Sequence, residues 1–408
     1  MSTTETATTE YPFAPVTPAE ASARYHAIAA DRPMTKMTMP FGGDAWIIHR
    51  NAAAREMLSD PRFVREPFRT GERVTPYFVE FPEFLRTTLQ FEDPPHHTKL
   101  RKLVQRSISP KRVKAMRDSA VEFANHLIDE MVAKGSPTNL VNDYAVALPI
   151  QMLANLLGVP PEDREKFQKW SSSTLAVANM PEDEVVANMT ELVVYMMALI
   201  DERRKNPRED LLSDLANARD KDDSLTDAEI LPIAMVLIIG GFDNTANFLC
   251  AGVLSLLRNT DQLEIFLRDP DEAAPLAVEE ILRHGRMAQG DKIAGGGGLV
   301  PFVATEDIEL DGQLVARGEA VMVDPGSVNH DGVAFEHDEV FDIKRSTNPH
   351  LTLSYGLHHC LGAPLARMEM QVGLAELFKR LPGLQLEGEA VVDMDNLTQA
   401  IVELPVSW

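Results

Sequence analysis

Residues 230–242 are apolar without exception, and they constrain the fold more than any other stretch. Thr226 and Glu229 precede them at capping-box spacing, which predicts a helix start. A helix that is apolar all round has no face for water and must run through an interior. The run is too short for a spanning helix, which needs about 20 apolar residues, and Pro232 interrupts it. The pattern continues to about Leu257, so the chain must build a helical body around one long core helix.

Other segments supply that body. Residues 113–134 and 192–204 repeat their apolar side chains every three or four positions, as helices do. Asn51 to Ser59 reads as a helix capped by Asn51, and residues 272–284 and 363–381 read as two more. Strand patterns are few. Residues 37–49 predict two strands around Gly42 and Gly43. Residues 307–310, the turn Asp311 and Gly312, and then Ala320 to Val323 predict another pair. Residues 62–90 are rich in Pro, Phe and Arg without a clean period and read as a long, functional loop. The fold class is therefore mainly α with a minor β portion. Residues 1–15 read as a flexible N-terminal tail and 16–408 as a single domain, because no internal repeat or linker divides them.

Charge and cysteine content exclude several functions. Lys and Arg number 39 against 62 Asp and Glu, a formal net charge of −23. A duplex-binding protein needs a basic surface, so nucleic acid is not an expected partner. An anionic membrane is disfavoured for the same reason. Cys250 and Cys360 are the only cysteines, which excludes a disulfide scaffold and any multi-cysteine metal cluster. Residues 1–10 lack the basic and apolar order of a secretory signal. The expectation is a soluble, cytoplasmic protein.

The stretch LTLSYGLHHCLGAPLARME, residues 351–369, carries the most chemistry. Cys360 lies between a glycine-containing loop and an amphipathic helix. A helix N-terminus favours a thiolate, which is both the nucleophilic and the metal-ligating form. Gly356 and Gly362 permit close backbone approach to a flat ligand. Three readings follow from the residues alone: an inert buried cysteine, a nucleophile working with His358 or His359, or a thiolate ligand to a metal or haem.

This loop resembles that of the cytochrome P-450 haem-thiolate monooxygenases of the soluble bacterial type. Gly356, His358, Cys360 and Gly362 match the family pattern, while Leu353 and Ser354 replace its usual Phe and first Gly. Four further motifs fall in family order. They are Asp93 to Arg101 (DPPHHTKLR), Gly240 to Thr245 (GGFDNT), Glu280 with Arg283, and Phe341 to Arg345 (FDIKR). The resemblance implies a helix-rich prism with a long central helix over haem b, and Cys360 as the axial iron ligand. It makes His97, Arg101 and His358 the partners of the haem propionates, and Gly241 part of the helix that lies close to haem. Backbone amides near Gly362 would temper the thiolate charge. Glu280, Arg283 and Arg345 would form a fully paired structural network, against the plainer possibility of a solvent-facing helix pair. Cys250 reads as core packing.

Two departures stand out. Counting back from Glu306 and Asp307 puts Phe302 where the family usually has a propionate-binding Arg, with Arg286 or Lys292 as possible substitutes. Asn244 replaces the usual Thr beside the proton-relaying Asp243, and it lacks a hydroxyl. Asp243 and Asn244 are the candidate catalytic pair, and Asn244 allows atypical oxidation or coupling. Phe84, Ile239, Phe242, Met287, Val300 and Leu397 are the candidate substrate contacts. They imply a mostly apolar organic substrate, by family habit a bacterial specialised metabolite.

No flavin or dinucleotide motif remains for electron supply, so the resemblance implies a separate ferredoxin and ferredoxin reductase. Lys102, Arg106, Lys111, Arg112, Lys114 and Arg367 offer a basic docking face. Two other functions compete: a haem-binding protein of this fold with little turnover, and a cysteine or zinc hydrolase using Cys360, His358 and His359.

Overall fold

The structure, a computed structural model, describes residues 9–10, 27, 32–39, 42–73, 86, 88–173, 181–217, 225–285, 300–393 and 400–408. It divides into two compact units. One comprises the described residues of Met1–Asp93, Gly290–Val340 and Thr347–Cys360. The other comprises those of Pro94–Gln289, Phe341–Ser346 and Leu361–Trp408.

The first unit holds a six-stranded sheet. Its order is Thr9–Glu10, Met34–Thr38, Asp44–Ile48, Ala320–Val323, Phe302–Ala304 and Phe63–Val64. Gly42 and Gly43, at φ 92 and 74, turn the Met34–Thr38 strand back onto Asp44–Ile48, with Thr38 opposite Asp44. Met57, Phe63, Phe302, Val315, Val321 and Leu351 share its core. Asp311 and Gly312 form a tight turn at φ 46 and 75, as two-residue hairpins require. The returning strand is Gln313–Val315 rather than Ala320–Val323. The latter runs parallel to Asp44–Ile48, with Ala320, Val321 and Met322 buried.

Two local expectations are corrected. The helix Asn51–Ser59 forms, but Arg50 occupies the cap position without a side-chain cap. The Asn51 amide is instead used over long range, donating to the carbonyls of Val328 (3.2 Å) and Pro349 (3.0 Å). The stretch expected as one long loop contains the strand Phe63–Val64, the short helix Glu66–Arg69 and a 3-10 turn at Leu89–Phe91. Phe68 and Phe91 are fully buried there, which organises the chain locally.

The second unit is helical. Ser109 caps Pro110–Lys134 by accepting from the Arg112 N–H. The expected capping box forms at Thr226 and Glu229 and opens Asp227–Gly241. The core helix breaks at Phe242 and resumes as Asp243–Arg258. The combined stretch Glu229–Arg258 is apolar and long enough to cross a membrane, and its most apolar 18 residues are 67% buried within the protein. Gly373 of Ala363–Arg380 lets this helix approach closely: a Cβ there would lie 3.1 Å from Leu148 and 3.2 Å from Leu249.

Candidate functional site

The Cys360 loop is shaped by backbone constraints within the first unit. Ser354 adopts a left-handed φ of 59 and Gly356 one of 61. A Cβ at Gly356 would lie 2.3 Å from the Leu58 carbonyl oxygen, so only glycine fits against that helix. A 3-10 turn, Gly356–His358, follows. The Cys360 N–H then donates to the Leu353 carbonyl at 2.8 Å, closing the loop. Cys360 itself is half-buried and lies three residues ahead of Ala363–Arg380. Outside the loop, the Arg55 guanidinium stacks 4.6 Å from the centre of the Tyr355 ring.

Cys250 differs in the property that matters. It is buried in Asp243–Arg258, and burial, assisted by the charge of Asp243, pushes its thiol up to about 12. At neutral pH it is a thiol and cannot act as an anionic ligand. The core-packing reading of Cys250 stands.

The helix break holds further candidate residues, within the second unit. Asp243 is buried and opens the helix Asp243–Arg258, while Asn244 beside it is half-buried. Thr245 donates its hydroxyl to the Gly241 carbonyl at 3.2 Å, satisfying an acceptor that the break releases. Among the described residues, a Cβ on Gly240 would meet nothing within 4 Å, and one on Gly241 only Leu153 at 3.7 Å. Two adjacent glycines thus leave the middle of this helix without side chains, as close approach of a flat ligand requires. Ile239 is half-buried and Phe242 is buried at the break.

On His96–Ser107, His97 is buried and Arg101 half-buried. His96 is exposed and lies 3.6 Å from Glu229, a surface contact. His358 is half-buried in the first unit, with its ring edge-on to Phe302 at 5.6 Å. Phe302 is firmly in register as the first residue of its strand, opposite Val321. Sequence reasoning does not single out Arg65, whose guanidinium lies 4.0 Å from the centre of the Phe302 ring. Its only signal was the missing cation at position 302. Val300 is buried, and with Leu58, Phe302, Leu351 and Ser354 it lines a small recess. Phe84, Met287, Leu397, Arg286 and Lys292 lie outside the described residues.

Glu280, Arg283 and Arg345 form the expected closed network, and the solvent-facing alternative fails. Glu280 is fully buried. Arg283 meets both of its oxygens at 2.9 and 2.7 Å, Arg345 meets one at 3.1 Å, and the Asp342 N–H donates to the other at 3.0 Å.

The glycine-pinned cysteine loop and the glycines at the middle of the core helix are two of the motifs by which the sequence resembles the haem-thiolate oxidoreductases. The comparisons agree. The cytochrome P450 family model matches residues 297–406. Mycinamicin IV hydroxylase/epoxidase of Micromonospora griseorubida is 36% identical over 401 residues, 98% of each chain. Nocardicin C N-oxygenase of Nocardia uniformis subsp. tsuyamanensis is 37% identical over 411 residues, 99% of this chain and 100% of that one. The solved structure of the mixed-function P450 MycG superposes with a TM-score of 0.88 at 34% identity, covering 98% of this chain and 100% of that chain.

The chain belongs to the cytochrome P450 family. It is a haem-dependent monooxygenase with a cysteine thiolate as the axial ligand of iron, and it acts on a small molecule with the help of a redox partner. The hydrolase alternative is overturned by this membership.

Proposed function

We propose that Cys360 is the thiolate ligand of haem iron, in a single catalytic domain spanning 16–408 that oxidises a mostly apolar bacterial specialised metabolite in the cytoplasm. The observation that carries this is the contrast between the two cysteines: Cys250 is buried and held as a thiol, while Cys360 is half-buried on a loop with one allowed shape. When bound, haem supplies the activation of dioxygen, which a thiolate ligand favours by directing electron density toward O–O cleavage.

This chain's own residues do the rest. Gly356, pressed against Leu58, holds the Cys360 loop in one shape. His97, Arg101 and His358 bind the haem carboxylates through charge-assisted hydrogen bonds. Gly241 lets the core helix approach haem. The Asp243 carboxylate takes up and releases a proton at the helix break, and the Asn244 amide orients a water beside it by donating and accepting hydrogen bonds. Ile239, Phe242 and Val300, with Phe84, Met287 and Leu397, orient the substrate and exclude bulk water. The absence of a hydroxyl at Asn244 favours outcomes beyond simple hydroxylation, such as epoxidation or coupling.

Electrons come from a ferredoxin and its reductase. Lys102, Arg106, Lys111 and Lys114 of the docking face are exposed, while Arg112 also meets Asp214 and Arg367 also meets Glu279. Neutralising those lysines is expected to raise the KM for ferredoxin more than it lowers the maximal rate.

The test is the absorbance spectrum of reduced, carbon monoxide-bound protein. Wild type and Cys250→Ser are expected to show the red-shifted Soret band, and Cys360→Ser to lack it. The reverse pattern overturns the ligand assignment. Spin-state titration with mycinamicin IV, nocardicin C and 6-deoxyerythronolide B, the compounds that relatives are named for, then tests the substrate class.

A further inference from the structure

Arg65 sits between the strand Phe63–Val64 and the helix Glu66–Arg69, and its side chain is 4% exposed. Nη1 donates to the Gln90 carbonyl at 2.8 Å and Nη2 to the Val300 carbonyl at 3.3 Å. Its Nε is buried without a hydrogen-bond partner. Among the described residues no carboxylate lies at ion-pair distance from it. Asp93 is the one acid whose charge reaches it, and the Asp93 Oδ2 is taken by the backbone N–H groups of Arg65 (2.8 Å) and Glu66 (2.7 Å).

Two neutral carbonyls and an aromatic face do not neutralise a full charge, and a buried charge without a counter-ion is costly. Burial accordingly pulls the guanidinium down to about 9. A guanidinium does not relieve that cost by losing its proton, so an anion must supply the missing half of the pair. The surroundings indicate which anion. Arg65 lies over Phe302, and the His358 ring packs edge-on to the same side chain. The strand position held by Phe302 is the one that lacks a cation. The protein's cofactor, haem b, carries two carboxylates, and a planar guanidinium matches a carboxylate through two parallel N–H donors.

We propose that Arg65 binds a haem propionate, supplying from the start of the Glu66–Arg69 helix the charge that Phe302 omits from its strand. This inference rests on haem as the cofactor and on none of the substrate or catalytic assignments.

The test is the rate at which the holoenzyme loses haem to excess apomyoglobin. Arg65→Met is expected to lose haem about tenfold faster or more, the usual scale for a charged hydrogen bond. Arg65→Lys, which keeps the charge but not the fork, is expected to fall between that variant and wild type. The double variant Arg65→Met with Phe302→Arg is expected to return to near the wild-type rate. Acceleration below about threefold for Arg65→Met overturns the proposal. So does acceleration that the double variant fails to reverse, because Arg65 would then serve only to pin the Gln90 and Val300 carbonyls. If the double variant yields no holoenzyme, the resonance Raman propionate-bending band of Arg65→Lys decides: it shifts if Arg65 holds a propionate and coincides with wild type if it does not. The carbon monoxide-bound Soret band of each variant reports the thiolate ligand separately, so failure here leaves the haem-thiolate assignment standing.

Discussion

Glu280 and Arg65 are both buried charges, and their surroundings differ in kind. Glu280, in the helical unit, receives two guanidiniums and a backbone N–H, so the chain itself completes the network. Arg65, in the sheet unit, receives only carbonyls and a ring. A network that closes on itself ties together residues far apart in sequence. One left open is matched to something the chain does not contain. The same low dielectric that makes the first strong makes the second dependent on its ligand.

The most forceful way to break this comparison is to open the closed network. Glu280→Ala leaves Arg283 and Arg345 buried without their carboxylate, at a cost of about 3–5 kcal/mol. Urea unfolding followed by circular dichroism is the measurement, and a loss below about 1 kcal/mol would mean that the network does not hold the chain.

His49 sharpens the comparison from the other side, because a buried base has a third option and gives up its charge. It lies between Ser327 Oγ and Thr35 Oγ1, both at 3.2 Å, and burial pulls it from 6.5 to about 4. Below pH 6.5 the unfolded chain takes up a proton that the folded protein refuses. The stabilising contribution is therefore complete above about pH 6.5 and is lost as the pH falls toward 4, to the extent of about 3 kcal/mol. His49→Gln is expected to flatten that part of the acid limb in urea titrations at stepped pH. An unchanged acid limb would place the sensitivity elsewhere.

Two smaller effects test the frame around the site. Gly356→Ala meets both a left-handed φ and the Leu58 carbonyl, and is expected to cost about 2–3 kcal/mol. It should lower the melting temperature and weaken the red-shifted Soret band together. If melting falls while the band is unchanged, the loop shape does not govern the ligand. Thr245→Val removes one hydroxyl from the Gly241 carbonyl and is expected to cost only about 0.5–1 kcal/mol. A larger loss in thermal melts would make that bond the main support of the helix break.

What is legible in the sequence is what repeats or matches a motif over a short span. The helix Pro110–Lys134, the capping box at Thr226, the turn at Asp311 and Gly312, and the Glu280–Arg283 pair can all be read this way, whereas Arg345, 65 positions from Glu280, is reached only through the family resemblance. What escapes depends on distant partners. Asn51 looks like a helix cap but spends its amide on the carbonyls of Val328 and Pro349. Arg65 reads as one more charged residue in a loop. Its burial is set by the carbonyls of Gln90 and Val300, 25 and 235 positions away.

The sheet has a consequence for how this protein is made. Its Asp44–Ile48 strand bonds to Ala320–Val323, with Ala45 opposite Ala320. At about 5–20 residues per second, the early strand leaves the ribosome roughly a quarter of a minute to a minute before its partner exists. During that time it presents an unpaired edge of Ala45, Trp46, Ile47 and Ile48, a template for mispairing with other chains. Yield in a heterologous host should therefore respond to translation speed and to chaperones that shield nascent strands, and depend less on the stability of the finished fold.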